Sequence, residues 1–299
     1  MKMPIQLKEV KPSIWNFQVV GGQDAWKEVA YSARMSGVPP HVQEEAIFKM
    51  ILRNDYTSAF EHIIIKFDIK VAKSIAPELL EHRMASHSGF STRYIHPNQS
   101  AVELAGKEAG VYEIITPWHL LPSHQPDERK QAARELFLKN IESNLEAYEE
   151  LLAQGLPRES ARYILPFCQA VGIYHFTMNL RSLLNFLSLR LCVRAAPEMR
   201  SIASQLYFRL GEEMPIIQGL VGCRGFLKRA CPESGVTGVR EGQQHPSYPP
   251  CLFRSPQSEV YIPTQQELAR GGSFQPFDRA KAIQAQEFNF RKWADWTGD

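Results

Sequence analysis

The chain has 299 residues, of which 44% are hydrophobic and 22% are charged, and this ordinary globular usage excludes a wholly disordered or fibrous protein. Its 34 basic and 32 acidic side chains leave a net charge of +2, so no bulk attraction to nucleic acid is expected. No stretch approaches the roughly 20 apolar residues of a membrane span, and the first residues lack the apolar core of a secretion signal. We therefore expect a cytoplasmic protein without membrane or nucleic-acid partners.

The N-terminal two thirds of the chain alternate periodic segments with short turn signals. Apolar residues recur at helical spacing in most segments and alternate strictly in one, while glycine and proline mark the ends. In chain order, the predicted elements are a helix over 41–53, a half-buried strand over 61–72, a helix with Pro77 in its first turn that runs through 86, a long helix from its N-cap Asp127 to about Gln154, a helix over about 175–193 and a helix over about 197–213.

Beyond Cys223 the composition changes. Residues 232–276 are dense in proline, glycine, serine and glutamine, which predicts an extended or partly disordered tail rather than a second core. Residues 278–296 are predicted to form one amphipathic helix. We therefore divide the chain into a domain over 1–222 and a Pro/Gly-rich C-terminal extension over 223–299.

The cysteines show no metal or disulfide pattern in the sequence. There are five, an odd number, and none form a C-x-x-C pair, while the nine histidines include no H-E-x-x-H. This argues against a disulfide framework and a zinc ribbon, so no metal site is expected. Ligands that only folding brings together stay open at this point.

A first cluster of candidate functional residues spans 81–93. It combines the basic residues His82, Arg83 and Arg93 with several hydroxyl side chains and one glycine. A helix end that passes into such a loop offers backbone N–H groups, hydroxyl donors and fixed cations, which together can hold a phosphate. Taken alone, a solvated turn with incidental charges is the better interpretation.

A second cluster lies on the predicted helix at 179–190. Its leucines gather on one side, Asn179 and Arg190 flank that stripe, and Arg181 and Asn185 lie around the other side. The arginine fork suits a phosphate or a uracil-type carbonyl edge, and asparagine suits an amide edge. A helix–helix interface with buried arginine pairs explains this segment equally well.

Together, these motifs resemble the flavin-dependent thymidylate synthases. The set consists of H-R-x7-S from His82 to Ser91, N-x-R-S-L-x-N-F-L-x-L-R over 179–190, A-R-M-S at 33–36, S-A-F-E-H at 58–62 and A-R-x-x-L-P at 161–166. The resemblance covers about residues 16–220 in the family's order, and residues 223–299 have no counterpart in it.

The resemblance implies an α+β fold in which helices pack on an antiparallel β-sheet, and a homotetramer with active sites shared between subunits. It also implies an enzyme, a methyltransferase that binds FAD and a pyrimidine nucleotide monophosphate. Methylenetetrahydrofolate would supply the carbon, NADPH would reduce the flavin, and the product would be a C5-methylated uridine monophosphate. No protein nucleophile is required, because the flavin supplies the reducing equivalent.

The resemblance also assigns site residues. Those placed around FAD are Ser58, His82, Arg83, Asn179, Arg181 and Asn185. Those placed around the nucleotide are Ser91, Thr92, Arg93, Arg162 and Arg190. Arg190 is the catalytic candidate, since it matches the position thought to favour ionisation at N3 of the uracil. A fixed cation there stabilises the anion and raises the electron density at C5.

Three positions depart from the family pattern. Glu81 replaces an arginine, Glu78 stands where glutamine is common, and Gly89 stands where glutamate or glutamine is frequent. Two carboxylates at i and i+3 could accept hydrogen bonds from sugar hydroxyls, and the glycine could leave room for an additional hydroxyl. These substrate-binding candidates lead to the hypothesis that UMP replaces or accompanies dUMP, as would suit nucleoside-antibiotic assembly. The alternative is a non-catalytic nucleotide- or flavin-binding homologue.

Overall fold

The computed structural model describes residues 4–98, 110–124, 128–233, 239–240, 243–244, 251–254, 259–274 and 276–297. The chain forms two compact units, each discontinuous in sequence. The first unit comprises Met1–Trp15, Asp68–Glu81 and His87–Phe176, and the second comprises Asn16–Phe67, His82–Ser86 and Thr177–Asp299. Within the described ranges, no helix is both long enough and apolar enough to cross a bilayer.

The strands form one four-stranded sheet and two small ribbons. Their bounds are β1 (Gln6–Glu9), β2 (Ser13–Val19), β3 (Ile64–Val71), β4 (Ala85–Gly89), β5 (Val111–Ile114), β6 (Gly172–Asn179), β7 (Val239–Arg240) and β8 (Gln243–Gln244). The larger sheet has the order β2-β3-β6-β4, while β1 pairs in parallel with β5, and β7 pairs antiparallel with β8.

The two central strands of the larger sheet run in opposite directions. The N–H of Leu180, just after β6, donates to the carbonyl of Ile63, just before β3, at 2.8 Å. At the other end a Cβ on Gly172 would lie 2.7 Å from the carbonyl oxygen of Val71, so this close approach requires glycine. The chain therefore combines helices with an antiparallel sheet, which confirms the predicted α+β class.

The described residues also include ten α-helices. In chain order they are α1 (Lys27–Met35), α2 (Glu44–Arg53), α3 (Ala76–Leu80), α4 (Glu128–Ala153), α5 (Arg158–Ala161), α6 (Leu180–Arg190), α7 (Pro197–Glu213), α8 (Arg224–Lys228), α9 (Gln265–Ala269) and α10 (Arg279–Ala294). The strand predicted over 61–72 and the helices predicted over 41–53 and 197–213 are confirmed as β3, α2 and α7. The long predicted helix is α4, and its proposed N-cap, Asp127, lies outside the described residues.

Two predicted helix bounds are wrong. The helix that begins around Pro77 ends at Leu80, and the serine- and histidine-rich segment after it forms β4. The helix expected from residue 175 begins at Leu180, because the preceding eight residues form β6 with alternating burial against its sheet neighbours. In β4 and β6, pairing with neighbouring strands determines the structure, and this pairing cannot be recognised from the local sequence.

The core of the first unit lies under α4. The apolar face of this helix buries Ile141 and Leu145, which pack against Tyr112 and Ile114 of β5 and against Cys168. These side chains leave at most 7% of their surface exposed. The predicted apolar face of the long helix is therefore the face that packs.

In the second unit α7 packs against α10. The guanidinium of Arg200 lies 3.8 Å from the centre of the Trp293 ring, a cation–π contact between the two helices. The predicted C-terminal amphipathic helix is confirmed as α10, and Asp278 caps it by accepting from the Lys281 N–H at 3.1 Å.

Described parts of the range 232–276, which was expected to be an extended or partly disordered tail, contribute to a buried cluster, while residues 234–238, 241–242, 245–250, 255–258 and 275 lie outside the described residues. A buried cluster joins α8, two loop segments and α10, and its members are Phe226, Phe253, Val260, Ile262 and Ala282. Beside it Arg254 donates to Glu267 at 2.8 Å, and Glu267 also completes a capping box with Thr264 at the start of α9. Aromatic and β-branched residues scattered between the prolines supply this cluster. The domain boundary at residue 222 stays a prediction.

Candidate functional site

The most specific contact among the predicted site residues joins Arg190 to His82 in the second unit. Arg190 ends α6, and its Nε donates to Nε2 of His82 at 2.9 Å. The imidazole also packs edge-on against Phe186, one turn earlier, with 4.7 Å between ring centres. Because Nε2 accepts a hydrogen bond, the proton of a neutral imidazole lies on Nδ1. The contact therefore fixes both the position and the tautomer of His82.

The electrostatics of this pair keep the imidazole neutral. Burial, and then the charge of Arg190, lower the pKa of His82 to about 4. At neutral pH the pair therefore consists of one guanidinium cation beside an uncharged ring. A single positive charge held at the end of α6 can stabilise an anion that forms next to it.

A sharp turn between α3 and β4 carries His82 and Arg83. Met84 closes this turn in the left-handed region with a φ of 62°, and it is 72% exposed. That conformation costs a bulky residue about 1 kcal/mol. His82 is half-buried and Arg83 is exposed. The turn thus presents one of the two basic side chains to solvent.

The start of α6 gathers further candidates from the second unit. The Oδ1 of Asn179 accepts from the Ser182 N–H at 2.9 Å, so Asn179 is the N-cap of the helix rather than a residue within it. Arg181 forms an ion pair with Glu61, which lies on the 3-10 segment Thr57–His62.

That 3-10 segment also contains Ser58, which is exposed. Asn185 is exposed one turn beyond Arg181 on α6. The structure therefore places the predicted FAD residues of this unit on adjoining elements: Ser58, His82, Arg83, Asn179, Arg181 and Asn185. The sequence suggested Glu61, inside the S-A-F-E-H motif, as a partner for the adjacent His62, whereas the structure pairs it with Arg181.

Most predicted nucleotide residues lie in the first unit, where a turn brings the loop motif next to α5. Two backbone N–H groups, from Tyr94 and Ile95, donate to the carbonyl of Ser91 at 3.1 and 3.0 Å. Arg93 Nε donates to Glu159 of α5 at 3.1 Å, and Arg158 donates to the carbonyl of Tyr94 at 2.8 Å.

Arg162 is the C-cap residue that directly follows α5. Ser91, Thr92, Arg93 and Arg162 are therefore brought to adjoining segments, as the motifs predicted. The carboxylate of Glu159, which sequence inspection missed, already neutralises Arg93. A phosphate at Arg93 has to displace or share that ion pair.

On its Cβ side, Gly89 lies against an aromatic ring. A Cβ at this position would lie 2.4 Å from Cε1 and 2.6 Å from Cδ1 of Tyr174, whose side chain is buried. The glycine thus admits the chain's own ring on that side, and its role in leaving space for a substrate hydroxyl stays a prediction. Glu78 lies in α3 and the exposed Glu81 follows it with helical backbone angles, so their i, i+3 spacing is kept. A ribose contact by these carboxylates stays a prediction.

Residues 19–216 match the family model described as Thymidylate synthase complementing protein. The chain belongs to this family. It is 34% identical over 168 residues to a Flavin-dependent thymidylate synthase of Sulfurisphaera tokodaii, covering 56% of this chain and 58% of that protein. It is 33% identical over 191 residues to one of Saccharolobus solfataricus, covering 60% and 66%. The chain thus spans somewhat less than two thirds of the length of these two relatives.

A solved structure shares the fold of this family member. The UMP/dUMP methylase PolB from Streptomyces cacaoi, solved with 5-Br UMP, superposes with a TM-score of 0.55 at 23% identity. The match covers 71% of this chain and 94% of that one. The resemblance found in the sequence is therefore confirmed at the level of family and fold.

Proposed function

We propose that the chain is a methyltransferase that carries out flavin-dependent, reductive C5-methylation of a uridine 5'-monophosphate. FAD is the cofactor, methylenetetrahydrofolate donates the carbon and NADPH is the reductant. Membership of the family supports this proposal, as do the two relatives that carry the name Flavin-dependent thymidylate synthase. We also propose that the enzyme works as a homotetramer, which light scattering of the purified protein tests.

The contact between Arg190 and His82 carries the proposal. This contact holds the guanidinium of Arg190 at 2.9 Å from a neutral imidazole, at the end of α6. Oriented in this way, the cation of Arg190 lowers the cost of removing the proton at N3 of a uracil beside it. The resulting anion is electron-rich at C5, where the new carbon–carbon bond forms.

The polar residues of the second unit suit a flavin dinucleotide. Arg83 and Arg181 supply cations for its pyrophosphate, and Asn179 and Asn185 supply carboxamides for the flavin ring edge. Glu61 partly offsets Arg181, so Arg83 is the stronger anchor of the two. When bound, FAD carries the reducing equivalents from NADPH to the transferred one-carbon unit.

For the sugar, we propose that UMP is accepted beside dUMP. The methylase PolB, solved with 5-Br UMP and with 5-Br dUMP, supports this. Tyr174 lies against Gly89 on its Cβ side, and the two carboxylates Glu78 and Glu81 are the other candidates for a ribose hydroxyl contact. Glu81→Arg should then lower turnover of UMP more than that of dUMP.

The decisive experiment measures flavin content, NADPH oxidation and formation of the methylated nucleotide by mass spectrometry, with UMP and dUMP compared. We expect Arg190→Ala to lower kcat/KM about a hundredfold or more while flavin is retained. Arg209→Ala is the matched control, because Arg209 is an exposed arginine of α7 paired with Glu212 in the same helix. Full activity in Arg190→Ala refutes the catalytic role. A colourless protein that cannot be reconstituted with FAD favours the non-catalytic alternative.

A further inference from the structure

A cavity of about 410 Å³ lies in the second unit, where the end of α6 meets the C-terminal extension. One side of its wall comes from residues within 188–195, and the other side comes from residues within 223–262. Sites for small molecules in proteins typically have volumes of about 300–1,000 Å³. The cavity is therefore large enough for part of a substrate, and one side of it is built from a stretch of chain with no counterpart in the family pattern.

The apolar part of the wall suits an uncharged ring. Ala195, Phe253 and Ile262 line the cavity, and each is at most 5% exposed. Leu189 of α6 adds a further apolar side chain, and four cysteines in the wall behave as small apolar groups. An aromatic ring that enters the cavity therefore exchanges contact with water for contact with apolar side chains, which favours binding.

The charged part of the wall is cationic. Four arginines line the cavity, namely Arg190, Arg194, Arg224 and Arg254. Arg194 pairs with Glu233, and Arg254 pairs with Glu267, so these two carboxylates balance only two of the four guanidinium charges. Arg224 is exposed and forms no ion pair with any residue in the described ranges. The cavity therefore favours an anionic ligand.

Arg254 is held in place by the extension itself. Its Nη1 donates to the hydroxyl of Tyr261 at 2.7 Å, to the carbonyl of Ile262 at 2.9 Å and to the carboxylate of Glu267 at 2.8 Å. Its Nε is buried, and no residue of the described part of the chain accepts a hydrogen bond from it. A buried donor without an acceptor costs free energy, which an oxygen atom of a ligand can recover. Arg254 is thus a fixed donor for an anionic oxygen.

The position of the cavity along α6 narrows the choice of ligand. Asn179 and Arg181, proposed for FAD, lie at the start of this 11-residue helix, roughly 16 Å from its end. Arg190, proposed for the uracil, lies at that end and lines the cavity. A molecule in the cavity therefore adjoins the proposed position of carbon transfer, which the folate has to reach. Folate also combines an aromatic ring with the two carboxylates of its glutamate, which match the apolar wall and the separate guanidinium groups.

We propose that this cavity binds the aromatic and glutamate portion of methylenetetrahydrofolate, and that Arg224 and Arg254 donate to its carboxylates. The inference rests on the proposed function and names the subsite of one of its co-substrates. Because both arginines belong to the extension, the extension supplies a binding surface that the family pattern does not contain. Its role is to hold the carbon donor, while the change in bonding takes place next to Arg190.

The test measures binding of tetrahydrofolate to the full-length, FAD-loaded protein by isothermal titration calorimetry, which requires no turnover. We expect Arg224→Ala to weaken binding about tenfold or more, because a charge-assisted hydrogen bond is lost. Arg224→Lys keeps the charge and should retain part of the affinity. In steady-state kinetics, Arg224→Ala should raise KM for methylenetetrahydrofolate and leave kcat and the KM for the nucleotide unchanged. Arg209→Ala is the matched control and should bind tetrahydrofolate as the parent protein does.

A comparison of ligands on the parent protein keeps the test valid if an arginine variant does not fold. Tetrahydrofolate with both glutamate carboxylates converted to amides keeps its size but loses its charge, and it should bind about tenfold or more weakly. The inference is overturned if this diamide binds as tightly as tetrahydrofolate, or if Arg224→Ala keeps the parent affinity. A rise in the KM for NADPH alone would also overturn it, because NADPH would then be the ligand. Methylation of neither UMP nor dUMP by the parent protein refutes the proposed function instead.

Discussion

Replacing Gly89 by alanine tests whether this glycine is required by the chain's own packing. The new Cβ would lie 2.4 Å from Cε1 of Tyr174, whereas carbon atoms in contact prefer about 3.5–4.0 Å. The ring must therefore shift by about 1 Å, and it is only 7% exposed, with Phe176 and His87 against it. Such overpacking costs about 1–3 kcal/mol. This outweighs the stabilisation of roughly 0.4–1 kcal/mol that alanine brings by lowering the conformational entropy of the unfolded chain.

The assay is denaturant unfolding of Gly89→Ala against the parent protein. We expect a loss of about 1–2 kcal/mol. The matched control is Gly211→Ala in α7, where an added Cβ meets nothing within 4 Å, and this variant should be stabilised. In a Tyr174→Leu background, Gly89→Ala should lower the free energy of unfolding much less, because the aromatic ring that clashes with the new Cβ is absent. A Gly89→Ala protein as stable as the parent refutes this reasoning. A selective loss of UMP turnover in the variant would instead support a contact between the ribose and the region of Gly89.

Three further predictions concern stability. The pKa of His82 in the folded protein is about 4, below its ordinary value, so the free energy of unfolding should be constant above pH 6.5 and fall by about 1–2 kcal/mol towards pH 4. In urea unfolding at several pH values, His82→Gln should lack this pH dependence. Asn179→Ala removes the acceptor for the Ser182 N–H and should lower the free energy of unfolding by about 1 kcal/mol in chemical denaturation. Asn179→Ser keeps a capping oxygen and should retain most of that stability. Equal stability of the two variants would contradict the role of Asn179 as the N-cap. By the same measurement, Leu145→Ala should cost about 2–5 kcal/mol, because Leu145 is fully buried. Leu136→Ala, also in α4, should be nearly neutral, because Leu136 is 63% exposed. Similar losses in both variants would show that the burial is misassigned.

Long, strongly periodic segments were predictable from the sequence. Helices α4 and α7 have clear end signals, and β3 alternates buried side chains with mostly half-buried ones along its length. Strand β6 was not predictable, because its residues merge into the leucine-striped helix that follows and only pairing with neighbouring strands sets it apart. The buried cluster of the extension was not predictable for a related reason. Proline and glycine dominate its composition, while its buried aromatic residues come from separated segments.

The same limit applies to the candidate site. Motifs predicted which residues matter, and the structure places several of them on adjoining elements. Contacts across long sequence separations could not be read from the motifs: His82 and Arg190 are 108 positions apart, and Arg93 and Glu159 are 66 apart. The contact of Gly89 with Tyr174 was not predictable either, because Tyr174 belongs to another strand. Residue identity indicated the chemistry, but the fold decides which partner each group meets.

The cap at the start of α6 limits what a ligand at Asn179 must look like. Its carboxamide oxygen is engaged by the N–H of Ser182, which also settles which end of the amide is oxygen and which is nitrogen. The amino group makes no part of the cap, and it only donates. A cofactor atom that meets this amino group must therefore be an acceptor, such as a ring carbonyl, an imine nitrogen or a phosphate oxygen. An N–H of a ligand has only the second lone pair of the capping oxygen to bond.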